Sequence, residues 1–130
     1  MNKKIMNLTP HTLNIISEAE FDPAIRKYRG GETVLTILSS GMVSAKSAAQ
    51  TELDPILVEG VEVQTMSAPK WVSVDPLPEA EEGTLFVVSA LYVAACKELG
   101  IPTNNLLTIG NAVVAEDNRT VLGCTCLVRN

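Results

Sequence analysis

Residues 83–102 read GTLFVVSALYVAACKELGIP, and the reading of this stretch decides the fold. Gly83 to Val88 is nearly continuous in apolar side chains, the pattern of a central strand buried on both faces. Ser89 then sits where a helix N-cap belongs, its hydroxyl suited to accept a backbone N–H of the first turn. A helix is predicted from about Ala90 to Leu99. Gly100 supplies the left-handed residue after it, Ile101 the apolar follower and Pro102 the stop.

Working outward, turn residues and period-2 runs divide the rest of the chain. Leu106 to Ile109 reads as a further strand, and Ala112 to Ala115 with Thr120 to Val128 as a hairpin closed by Glu116–Arg119. Upstream, Asp75 to Gly83 holds Pro76, Pro78 and three glutamates, an acidic surface loop that cannot join a ladder. Leu57 to Met66 sets Val61, Val63 and Thr65 against Glu62 and Gln64, which predicts one strand with a wet face, and Trp71 to Val74 continues that sheet. Leu8 to Ile16 reads as the first strand and Thr33 to Leu38 as the second, with Ser39-Ser40-Gly41 turning the chain after it. Between those two strands Ser17 to Gly31, with Pro23 and Gly30-Gly31, reads as an irregular mobile loop. Met42 to Gln50 fits a short strand, a helical turn or a loop equally. No repeat or linker divides residues 1–130, so one domain is expected. The expected fold class is α+β: a mixed or mostly antiparallel sheet of about six strands with one main helix at 90–99.

Composition bounds the partners. The chain has 130 residues, 46% of them apolar and 19% charged, with a formal net charge of −5; mean hydropathy is +0.20. That is enough apolar material for one core and too much for a disordered chain. The longest apolar run, Leu85 to Cys96, carries Ser89 and ends at Lys97, short of the roughly 18–20 residues a membrane span needs. Lys3 and Lys4 open the chain without an apolar segment behind them, so neither a secretory signal nor a membrane partner is expected. Ten scattered Lys and Arg residues argue against duplex nucleic acid, although one or two local donors suffice for a small anion. Three cysteines, Cys96, Cys124 and Cys126, form no complete disulfide set and lack the paired spacing of a zinc site. Reduced thiols in a cytoplasmic protein, with no metal and no cofactor, are the expectation.

Candidate site residues are few. His11 is the only histidine, and histidine alone has an ordinary pKa near physiological pH. It follows Thr9 and Pro10 and is either a turn-fixing residue, a ligand contact or a general acid/base. Ser89 either caps its own helix or, with the amides of Ala90, Leu91 and Tyr92, holds a phosphate at the helix start. Arg119 and Asn111 flank the C-terminal hairpin, and Arg119 has the planar fork that suits phosphate or carboxylate. Trp71 is a packing residue or a stacking platform for a base. No nucleophile elbow, phosphate loop or zinc-protease motif is present, so no catalytic residue is assigned and binding is favoured over turnover.

Four segments in order carry a resemblance: Asn7-Leu8-Thr9-Pro10-His11 with Leu13-Asn14-Ile15; Ser39-Ser40-Gly41; Leu77-Pro78 followed by Gly83-Thr84-Leu85-Phe86-Val87-Val88-Ser89; and Asn118-Arg119-Thr120-Val121-Leu122-Gly123-Cys124. In these the chain resembles a family of small proteins from tailed phages and prophages. It departs from that family at Asn105–Asn111, and at Thr125, where a basic residue is common; the second departure weighs against an anion role for that strand. The resemblance implies a phage protein in the host cytoplasm, of the kind directed against host defences. One such strategy sequesters a signalling nucleotide, cyclic or of the ADP-ribose type, in a small homo-oligomer. Thr9, His11, Trp71, Ser89, Asn111 and Arg119 would then contact this anionic ligand. The alternatives are an inhibitor that binds a host defence protein through a sheet edge or the Leu77–Gly83 loop, and a small phosphodiesterase with His11 as acid/base.

Overall fold

In the computed structural model, which describes residues 3–130, the elements in chain order are β1 (Ile5–Asn7), β2 (Leu13–Ser17), β3 (Glu20–Asp22), β4 (Lys27–Arg29), β5 (Glu32–Ile37), β6 (Ala45–Ser47), β7 (Glu52–Val58), β8 (Val61–Met66), β9 (Trp71–Val74), β10 (Leu85–Val87), α1 (Ala90–Glu98), β11 (Leu106–Val114) and β12 (Val121–Arg129). The molecule is mostly β, with a single short helix among the described residues.

The decisive stretch behaves as its residues dictate. β10 is flanked by parallel neighbours, β1 through Met6↔Phe86 and β11 through Val87↔Leu107. Its side chains are buried on both faces. Phe86 and Val88 pack toward α1 with Leu8, Val43, Tyr92, Val93, Cys96 and Leu106. Val87, fully buried, packs the other way with Leu13, Leu107 and Cys124. Each such aliphatic side chain contributes about 1.5–3 kcal/mol by leaving water. Ser89 caps α1 by accepting the Tyr92 N–H at 3.2 Å, and Gly100 follows with φ +74°.

The main sheet runs β1-β10-β11-β12-β2-β5, with β4 also pairing β11 and β3 pairing β4. Only Leu8–Thr12 connect β1 at one edge to β2, four places along. A flat sheet would put those strands about 19 Å apart at ~4.8 Å per strand. An extended linker could just reach, but residues 8–12 bend instead, so the sheet curls. Its two edges meet where Asn7 bridges Ser39 just after β5, and Ser40 N–H donates to the Asn7 carbonyl at 2.8 Å. The core of Leu13, Val87, Leu107 and Cys124 lies inside that curl, with Ile5, Ile15 and Ile37 around it. Gly123 is required where β12 crosses β2: a Cβ there would collide with the Asn14 carbonyl oxygen.

Several local expectations are corrected. Leu8–Ile16 is not one strand; the chain bends at 8–12 because the Asn7 side chain binds the backbone ahead of it. Ser17–Gly31 is not irregular: β3 and β4 form a hairpin, with Phe21 and Tyr28 edge to face at 5.3 Å between ring centroids. Leu57–Met66 is not one strand either. Glu59 and Gly60, both at positive φ, make a two-residue turn between β7 and β8. β11 is longer than expected, running through Asn111, which takes φ +49° without ending the strand.

Candidate functional site

The Asn7–His11 segment is organised by Asn7 itself. Its side chain is completely buried and uses both ends. Oδ1 accepts the Thr9 N–H at 3.1 Å and the Thr9 hydroxyl at 2.7 Å. Nδ2 donates to the His11 carbonyl at 2.8 Å and, across the closing edge of the sheet, to the Ile37 carbonyl at 3.1 Å. Ser39 Oγ adds a bond to the Thr9 carbonyl at 2.6 Å. The Thr9 hydroxyl is thus held inside this network, while the His11 ring lies on the exposed side of the bend.

The remaining candidates separate. Leu8 N–H continues the β1 pairing by donating to the Val87 carbonyl at 2.9 Å, so Thr9 and Ser89 leave the same carboxyl edge of neighbouring parallel strands. Ser89 Oγ is engaged in capping α1. Beyond the Val87↔Leu107 pair, β11 runs seven more residues to Val114 before the turn that carries Arg119. That is about 23 Å at ~3.3 Å per residue. Asn111 is exposed part-way along. Trp71 belongs to the separate two-stranded sheet of β6 and β9, paired with Ser47. Thr9, His11 and Ser89 share one edge of the sheet; Asn111, Arg119 and Trp71 are elsewhere.

Behind α1, Tyr92 hydroxyl donates to the Asp75 carbonyl at 2.6 Å. Burial, followed by the nearby Cys96 and Asp75, pushes the phenol up to about 12. The Asp75 carboxylate accepts the Ser44 N–H and hydroxyl at 2.9 and 3.0 Å, which holds it below the usual carboxylate range. Burial raises the thiols of Cys96 and Cys124. The Tyr92–Asp75 bond fastens the loop after β9 to the helix, and the Asp75–Ser44 bonds tie that loop to the chain before β6. No group of three or more metal-ligating side chains occurs among the described residues, and no helix there is long and apolar enough to cross a membrane.

A recess lies at the opposite, amino-terminal ends of β1, β10 and β11. It is a cleft of about 440 Å³ whose walls include Leu77, Phe86, Thr84, Asn104 and Asn105, with Lys3, Glu81 and Glu82 supplying charge. The Phe86 N–H donates to the Asn105 carbonyl at 2.9 Å, fixing that asparagine against β10. Thr84 is 5% exposed, and its Oγ1 is buried without a hydrogen-bond partner. A second recess of about 390 Å³ lies beside the β3–β4 hairpin, at Phe21, Pro23 and the Asp22–Arg29 ion pair. None of the six residues singled out from sequence lines either recess. Sequence reading passed over Thr84, Asn104 and Asn105 because threonine inside an apolar run reads as strand, and Asn-Asn after a proline reads as a turn. Comparison with protein-family models, curated proteins and solved structures returned no match.

Proposed function

We propose that the protein acts by affinity, holding a small nucleotide-type molecule in the cleft between Lys3, Thr84 and Asn105 without turning it over. The cleft carries this reading: apolar residues, two asparagines and Thr84, whose hydroxyl is buried and unpaired, line one recess of about 440 Å³, a volume within the usual range for small-molecule sites. An asparagine amide matches the paired donor and acceptor of an adenine edge. Lys3 is the single cation among the lining residues and Glu81 and Glu82 add two negative charges, so base and ribose have to supply the affinity. The resemblance to phage proteins gives the setting, capture of a defence messenger in the host cytoplasm.

The test is thermal unfolding with adenosine nucleotides, cyclic di- and trinucleotides and ADP-ribose. A ligand at a hundred times its Kd stabilises by about 2.7 kcal/mol, which raises the melting temperature by roughly 5 °C or more. Asn105→Ala should remove the ligand-induced shift, whereas Thr84→Val, which removes a buried unpaired hydroxyl at constant shape, should leave the free protein melting no lower. The absence of a shift with every one of these ligands overturns the reading.

A further inference from the structure

β6–β9 and β7–β8 form one two-stranded arm. Ala45 pairs with Val74 at its base, Ala48 N–H donates to the Lys70 carbonyl and Ser67 N–H to the Thr51 carbonyl midway, and Val58 pairs with Val61 at its tip. Its base packs on α1. From Glu52 outward, among the described residues, β7 and β8 pair only with each other. Along about 40 Å of arm at ~3.3 Å per residue, the outer half stands free. Such an isolated hairpin is at best marginally stable in water, and further strands or a packed face are what stabilise it.

The pairing register sorts the arm's side chains. Val58↔Val61, Ile56↔Val63 and Leu53↔Thr65 share one face, whereas Leu57↔Glu62 and Glu52↔Met66 share the other. The first face carries no charge, and its five aliphatic residues are 41–63% exposed. The charges are polarised: Glu52, Asp54, Glu59 and Glu62 in the outer half, Lys46 and Lys70 in the inner half, with no basic residue from 51 to 69.

We infer that a second copy of this chain covers the apolar face, the two arms stacking antiparallel about a twofold axis. Three observations favour that occupant. The antiparallel arrangement lays the acidic tip of one arm over the inner half of the other, which carries Lys46 and Lys70. Glu52 and Glu62, on the far faces, then stay outside the contact, and Glu59 at the turn is the acidic group that meets the partner's lysines. One face of the arm carries only about half of the thirty residues from Ala45 to Val74, against the ~20–30 a side of a stable interface, so the two arms have to overlap along their whole length. Anionic membrane is disfavoured by the same acidic tip.

Sedimentation or light scattering of the full chain at tens of micromolar should give twice 13.9 kDa. Val63→Lys on the apolar face should give the monomer with an unchanged circular dichroism melt of the body at low concentration. Leu57→Ser on the opposite face, a residue 73% exposed, should leave the dimer intact. Reversing Lys46 and Lys70 to Glu should weaken association at least tenfold, and adding Glu59→Lys should recover part of it. A monomeric wild type, a dimer that survives Val63→Lys, or a fixed-ratio complex with a different protein that depends on Val63 each overturns the inference.

Discussion

At the scale of single residues, Asn7 matters more than His11. Sequence directs attention to the lone histidine because its chemistry is rare, but the buried group in that segment is the asparagine four positions before it. One amide serves Thr9, the His11 carbonyl and the Ile37 carbonyl, so it both shapes the bend after β1 and ties the two edges of the curled sheet. Asn7→Ala leaves two carbonyls and the Thr9 donors without this partner. At about 1–3 kcal/mol for each buried group left unpaired, the expected loss is about 3 kcal/mol, read as a lower denaturant midpoint. Asn7→Asp should be at least as damaging at neutral pH, since a carboxylate would face two carbonyl oxygens with no hydrogen to donate. His11→Ala should change the midpoint by less than about 0.5 kcal/mol, the usual range for an exposed side chain. Equal losses for Asn7→Ala and His11→Ala would remove the closing role assigned to Asn7.

At the scale of elements, legibility followed how strongly local chemistry constrains the backbone. The strand–helix unit at 83–102 was legible because an apolar run buried on both faces, a serine cap and a Gly–Ile–Pro stop all agree. The β7–β8 turn was not, since Glu59-Gly60 lacks the usual Asn or Asp and Pro55 interrupts the pattern; that proline sits in the Leu53–Ile56 irregularity, where a ladder donor is not required. The β3–β4 hairpin was hidden by its short strands and by Arg26 taking φ +54° where a glycine would have announced the turn. The β11–β12 turn was legible, and its chemistry makes a pH prediction. Asp117 accepts the N–H groups of Arg119 and Thr120 at 2.9 and 2.8 Å together with the Thr120 hydroxyl, which lowers its carboxyl to about 2. Because the folded value lies below the unfolded one, its stabilising effect is complete above about pH 4 and is lost as pH falls toward 2. A carboxyl-carbon NMR titration should place the Asp117 midpoint near 2, and Thr120→Val should move it upward. An Asp117 midpoint in the ordinary range would show that the turn does not hold the carboxylate.

At the scale of the whole molecule, the described residues form a curled sheet with one helix behind it and an arm whose outer half the body does not support. The candidate cleft became visible only here. It is made by the amino-terminal ends of three parallel strands that are far apart in sequence, and nothing in the spacing of Lys3, Thr84 and Asn105 announces that they meet. The arm was half legible: alternation of Val61, Val63 and Thr65 against Glu62 and Gln64 signals a strand with one apolar face, but a single sequence does not say which surface that face seeks. If the outer arm packs on no part of its own chain, replacing Glu52–Met66 by an Asn-Gly turn removes no intramolecular core. Thermal melts over a hundredfold range of protein concentration test this division. The full chain should melt at a temperature that rises with concentration, since association stabilises by mass action. The shortened chain should melt at one temperature throughout, matching the full chain at its most dilute. A shortened chain that melts well below the dilute full chain would mean that the arm stabilises its own body, and the face of Leu53, Ile56, Val58, Val61 and Val63 would then need a partner within the monomer.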